Sequence, residues 1–172
     1  MPSLNFVYRG NRISLNLEWC AKDGESMDAK QWAEKAAKQI KEKNERITLD
    51  TRKRLHDAEL KASHAPGLWN AVKDSLKQRV DALNNEMSEE IIFLDNSAPD
   101  AITAKTRSWS QVTLKFNSQK HELRCDWPNT TTDYGIHVLN SDEVTFWDKN
   151  GMPITTDKIA EDVLLEVIKS LS

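Results

Sequence analysis

The side chains best suited to chemistry lie in the C-terminal half of the sequence. His121 and Cys125 are four residues apart in a segment of alternating polarity, so both face one side of a predicted strand. This spacing separates them by about 13 Å along the strand, which is too far for one metal ion. His137, on a neighbouring predicted strand, would have to complete a metal or nucleophile site. A buried thiol and half-buried histidines explain the same residues, and we favour that structural interpretation.

A small hydrolase or transferase is a second interpretation, with a site made of His121, His137, Asp126 and Asp148. Histidine and aspartate carry general acid–base catalysis when they converge in a pocket. Both aspartates fall at predicted turns or strand ends, where aspartate usually accepts hydrogen bonds from backbone N–H groups. Convergence of two or more of these side chains within hydrogen-bond reach in a pocket would favour an enzyme, and dispersion would disfavour it.

Motifs for cofactors are missing from the sequence. There is no glycine-rich phosphate loop and no nucleophile elbow, and the chain has only 5 glycines. His56 and His64 are eight residues apart, which is not the i,i+4 spacing of a helical zinc site. We therefore predict no cofactor and no metal.

The composition limits the classes of partner. Charged residues make up 30% of the 172 residues, and the formal net charge is −3. Without a basic half or stripe, nucleic-acid binding is disfavoured. No apolar run is long enough for a transmembrane helix, and the N-terminus lacks a secretory signal, so we expect a cytoplasmic protein that does not bind membranes. Cys20 and Cys125 are expected to be thiols.

The longest periodic stretch is residues 28–88, which we predict to be a helical hairpin. Apolar residues recur every three or four positions, first from Asp28 to Ala62 and then from Pro66 to Met87. Proline suits the first turn of a helix, so Ser63–Gly67 is interpreted as the loop between two antiparallel helices. A break at Ile47–Asp50 is an alternative that we do not favour.

The two predicted helices differ in length. At about 1.5 Å per residue, the first would extend beyond the second by several turns. The overhanging turns carry Trp32, Ala36 and Ile40, which need a covering partner. We favour the protein's own sheet as that partner, and a homodimer is the alternative.

The remaining sequence has the period of β-strands. Residues 1–27 predict an N-terminal β-hairpin that joins the sheet, and residues 89–172 predict an antiparallel meander followed by a C-terminal helix. That helix has the strongest amphipathic pattern, from Ile159 to Leu171, and should pack on the sheet. The predicted fold is therefore α+β, an antiparallel sheet with an inserted long helical hairpin and a C-terminal helix.

Six tryptophans are many for this length, and most should lie in the core. Trp109 and Trp147 are the two expected at the surface, where aromatic residues often anchor interfaces. With Trp32, Ala36 and Ile40 they form the predicted interface set. The leading hypothesis is a non-enzymatic interaction module that binds another protein, or itself, through the helical hairpin.

Overall fold

The computed structural model describes residues 7–8, 11–12, 28–108, 110–128 and 130–169. The chain divides into two compact units, Met1–Arg46 and Ile47–Ser172. The domain boundaries predicted after residues 27 and 88 remain predictions.

The first unit contains two short strands and the beginning of a helix. Strands β1 (Val7–Tyr8) and β2 (Asn11–Arg12) pair antiparallel, where the sequence predicted a hairpin. The polar residues Arg9–Arg12 predict the turn of this hairpin, but Asn11–Arg12 is the second strand of the pair. The other residues of the predicted hairpin, including Cys20, lie outside the described residues.

One long helix replaces the predicted hairpin. Helix α1 runs from Ala29 to Met87, 59 residues, with Pro66 inside it. The predicted loop at Ser63–Gly67 is therefore wrong, whereas the predicted continuity through Ile47–Asp50 is confirmed. Neither of the helices found in the described residues is long and apolar enough to cross a membrane.

The second unit is built on a seven-stranded antiparallel meander. Each strand pairs with the next one in the chain, in the order β3-β4-β5-β6-β7-β8-β9. This agrees with the predicted α+β class and leaves β3 and β9 at the two edges. The strands are β3 (Ile92–Asp95), β4 (Ala101–Thr106), β5 (Gln111–Asn117), β6 (Glu122–Asp126), β7 (Thr131–Val138), β8 (Val144–Trp147) and β9 (Pro153–Ile154).

Alternation along the strands buries one face of the sheet. In β5, Val112, Leu114 and Phe116 are buried, while the residues between them are half-buried or exposed. This is the period of two expected for a sheet with one covered face. The covering residues come from α1 between Ala65 and Val80, and from the C-terminal helix.

Helix α2 (Thr156–Lys169) packs on the sheet as predicted. Thr155 caps it, because the Thr155 Oγ1 accepts the backbone N–H of Lys158 at 3.1 Å. The predicted stripe is buried from Ile159 to Val167, but Ile168 is 39% exposed.

Polar side chains join the two helices on this face. The Ser75 hydroxyl donates to Asp157 at 2.6 Å, and Arg79 donates to Asp157 at 3.1 Å and to Glu161 at 3.3 Å. The hydrogen bond from Ser75 and the charge of Arg79 lower the pKa of Asp157. This contact fixes α1 against α2 over the buried face.

Candidate functional site

The three residues of the predicted metal or nucleophile site have separate structural roles. His121 lies in the turn before β6 with φ +53°, and its carbonyl accepts the N–H of Ile136 at 3.0 Å. Cys125 is fully buried on the covered face of β6. No group of three metal-binding side chains occurs in the part of the chain that the structure describes.

His137 is held by an aromatic neighbour. Its ring lies 4.7 Å from the Trp147 ring, measured between centroids, on adjacent strands. A side chain at Gly135 would come within 3.0 Å of the His137 Nε2, so the glycine makes room for the imidazole. Burial, and then the charge of Lys61, lower the pKa of His137. A neutral imidazole, tilted against the Trp147 ring, is therefore expected near pH 7.

The two candidate aspartates stabilise local structure. Asp126 accepts hydrogen bonds from Lys115 and Arg124, both at 2.8 Å, and these bonds lower its pKa. Asp148 accepts the N–H groups of Asn150 and Met152, both at 2.9 Å, and so closes the turn between β8 and β9.

The hydrogen bonds of the described residues join none of these four candidates to another. A histidine–aspartate acid–base pair requires a hydrogen bond between the two side chains. In the described residues, neither His121 nor His137 forms one with Asp126 or Asp148. The arrangement therefore does not favour the hydrolase or transferase hypothesis.

Burial should make Cys125 unreactive in the folded protein. Its pKa is raised, chiefly by burial, and the thiolate is the reactive form. We expect iodoacetamide to modify Cys125 in native protein only as fast as the sheet opens, and at the full rate in denaturant. Peptide mapping after timed alkylation measures this, and fast modification of the native protein would contradict the burial of Cys125.

Exposed apolar side chains on α1 form the most prominent candidate surface. We call Trp32, Ala36, Ile40, Ile47 and Leu55 the exposed stripe. They follow one another at steps of four, seven and eight residues, which places them on one side of a helix. Ala36 is half-buried, and the four larger side chains are between 49% and 62% exposed.

The exposed stripe keeps the phase of the buried part of α1. From Leu55, steps of three and four lead through Ala58 and Ala62 to Ala65, which is buried against the sheet. Leu49, which is 62% exposed, lies about 180° around the helix from this side. The part of α1 that precedes the core therefore has the pattern of a packing face and exposes it.

One of the predicted interface residues, Trp147, lies away from the exposed stripe. Trp147 is half-buried beside His137, and its Nε1 has no hydrogen-bond partner in the described residues. Trp109 lies outside the described residues. The sheet was the favoured cover for Trp32 and Ile40, yet these side chains are 50% and 54% exposed.

A groove beside the edge strand β3 is a second surface, and no sequence pattern predicts it. It has a volume of about 540 Å³ and lies between α1 and β3. Val80, Ile92, Leu94 and Ile102 line it together with polar residues of α1. It forms only because α1 passes along the edge of the sheet, a long-range arrangement without a local sequence signal.

Comparison with models of protein families, with curated proteins and with solved structures finds no match.

Proposed function

We propose that this chain is a non-enzymatic protein–protein interaction module that acts through the exposed stripe of α1. The observation that carries the proposal is the exposure of Trp32, Ile40, Ile47 and Leu55 on the side of α1 that is buried further along the helix. Burying a half-exposed side chain of this size contributes about 1 kcal/mol. Four such side chains favour association with another apolar helix face.

A second copy of this chain is the partner that the stripe fits. In an antiparallel pair with its two-fold axis at Ile47, Ile40 of one copy lies within one residue, about 1.5 Å along the axis, of the level of Leu55 of the other. Lys43 of one copy then lies against Thr51 of the other. Both are polar residues on the side of α1 that carries the exposed stripe, so this register places polar residues against each other. Pairing would remove about 1,200 Å² from solvent, the lower range for a specific interface.

Trp32 is the proposed anchor of this dimer. In the same register it lies opposite Ala62 of the second copy, where a small side chain leaves space for the indole. Large aromatic side chains in such positions often dominate the binding energy.

We predict that the protein sediments as a dimer of twice 19.7 kDa at micromolar concentration. Trp32→Ala should weaken the dimer by about 2 kcal/mol, because the anchor is lost. Leu55→Ala should weaken it by about 1 kcal/mol. Sedimentation equilibrium over a range of concentrations gives these values.

Leu49→Ala is the matched control for Leu55→Ala. Both leucines are 62% exposed on the same helix, but only Leu55 belongs to the exposed stripe. The control should leave the dissociation constant unchanged. A mass of 19.7 kDa at every concentration, or equal effects of the two substitutions, would contradict the proposal.

A further inference from the structure

The edge strand β3 has backbone groups that face away from the sheet. Ile92 directs its N–H and C=O outward, since both bond to the Asn84 side chain, at 3.1 and 2.9 Å. The pattern alternates along an antiparallel strand, so Leu94 directs its N–H and C=O to the same side. Thr106, opposite Ile92, agrees with this alternation because its N–H bonds to Ser110 on the β5 side. In the described residues, no hydrogen bond reaches the N–H or C=O of Leu94 from that outer side.

Two contacts fix the direction of α1 along this edge. Asn84 bonds to Ile91 and Ile92 at the beginning of β3. Trp69 donates its indole N–H to the carbonyl of Pro99, beyond the end of β3, at 3.0 Å. The helix therefore runs antiparallel to β3, and the groove lies between the two.

The groove has an apolar floor and charged ends. Lys73, whose Nζ lies 5.3 Å from the centre of the Trp69 ring, and Lys77 line its end near Pro99 together with Asp74, so positive charge is in excess there. Asp81 and Glu90 line the end near Asn84. Lys73 and Asp81 are eight residues apart on the helix, or about 12 Å.

We propose that this groove binds an extended polypeptide segment, which adds to β3 as an antiparallel strand. The residue opposite Leu94 exchanges two backbone hydrogen bonds with it and directs an apolar side chain to the groove floor. The residue two positions before is acidic and lies near Lys73 and Lys77. The residue two positions after is basic and lies near Asp81 and Glu90, where the peptide leaves β3 because the Asn84 side chain already bonds to Ile92.

The spacing of the groove matches that pattern. Residues four apart in a strand are separated by about 13 Å, close to the distance between the two charged ends. A second copy's β3 does not have the required charges, because Glu90 and Asp95 flank it and no basic residue lies between them. The site uses none of the residues of the exposed stripe, so it stands or falls independently of the dimer.

The test compares two blocked peptides with the same composition. Thr-Glu-Thr-Val-Thr-Lys-Thr has the proposed order of charges, and Thr-Lys-Thr-Val-Thr-Glu-Thr has the reverse order. The first should bind the protein about tenfold more tightly, because both ion pairs become repulsive in the second. Titration calorimetry gives the affinities, and amide exchange of Leu94 reports whether the peptide pairs with β3. N-methylation of the peptide valine, which removes a backbone donor, should abolish binding.

A charge-exchanged protein provides the matched variant. Lys77→Glu combined with Asp81→Lys keeps an i,i+4 pair of opposite charges on the exposed helix face, so α1 is preserved. This double variant should lose the preference for the first peptide, because Lys73 and Glu90 stay in place and oppose the exchanged charges. Equal affinity of the unaltered protein for the two peptides, no binding at millimolar concentration, or an unchanged preference in the double variant would overturn the proposal. If the Leu94 amide became more protected from exchange as the protein concentration rose, without peptide, a second copy of the chain would be the partner of β3. That result would also overturn the proposal.

Discussion

Replacing Trp69 with alanine is expected to lower the free energy of unfolding by about 3–5 kcal/mol. The side chain is only 4% exposed, and its ring stacks on Phe116 with the centroids 5.9 Å apart. Its indole N–H also donates to the carbonyl of Pro99. The substitution therefore opens a cavity under α1 and leaves that carbonyl without its donor. No other side chain of α1 in the described residues joins ring stacking to a long-range backbone contact in this way.

Urea denaturation followed by circular dichroism measures the effect. Trp69→Phe is the control, because it keeps an aromatic ring against Phe116 and removes the indole donor. It should cost about 1 kcal/mol for the hydrogen bond, together with a smaller term for the lost volume. A cost below about 1 kcal/mol for Trp69→Ala would mean that α1 does not pack on the sheet at this point.

The sheet could be predicted because each central strand has one covered face. Val112, Leu114 and Phe116 alternate with polar residues, and a one-residue shift would expose all three. The turn at Asp148 was also predictable, since aspartate bonds locally to its own backbone. Strand β9 was not predicted, because a two-residue strand has too few positions for a period of two.

The predicted helical hairpin is wrong because the helical spacing of the apolar residues outweighs the turn preference of Pro66 and Gly67. Pro66 and Gly67 are typical of a chain reversal. The apolar spacing nevertheless continues through this segment without a shift, from Ala62 to Ala65 to Trp69. Packing of Ala65 and Trp69 on the sheet outweighs the local preference for a turn. One helix replaces the predicted pair, so the turns that were predicted to extend beyond the shorter helix form an exposed face of α1.

The candidate surfaces differ in how much of them could be predicted. Trp32, Ala36 and Ile40 were identified from spacing alone, because helical periodicity is a local property. The groove at β3 depends on Asn84, whose side chain bonds to a strand that begins eight residues later. It also depends on the contact between Trp69 and Pro99. Sequence periodicity contains no information on either contact.

Pro66→Ala is expected to raise the free energy of unfolding by about 1–3 kcal/mol. Pro66 lies inside α1 and has no N–H to donate to the carbonyl of Ala62, and its ring crowds that carbonyl. Alanine restores the helical hydrogen bond and has the highest helix propensity. Pro66 is exposed, so the substitution removes no core contact. Thermal unfolding should show an increase in Tm of several degrees.

Gly67→Ala provides a second test of the same helix. A methyl group at this position would meet no atom within 4 Å, and alanine in an exposed helix interior is favoured over glycine by about 0.5–1 kcal/mol. A helical hairpin predicts a different result, since proline at the first turn of a second helix costs nothing and its removal gains nothing. If Pro66→Ala left the stability unchanged or lowered it, α1 would not be continuous through Ser63–Gly67. Stabilisation by both substitutions is expected only if the helix is continuous through Ser63–Gly67.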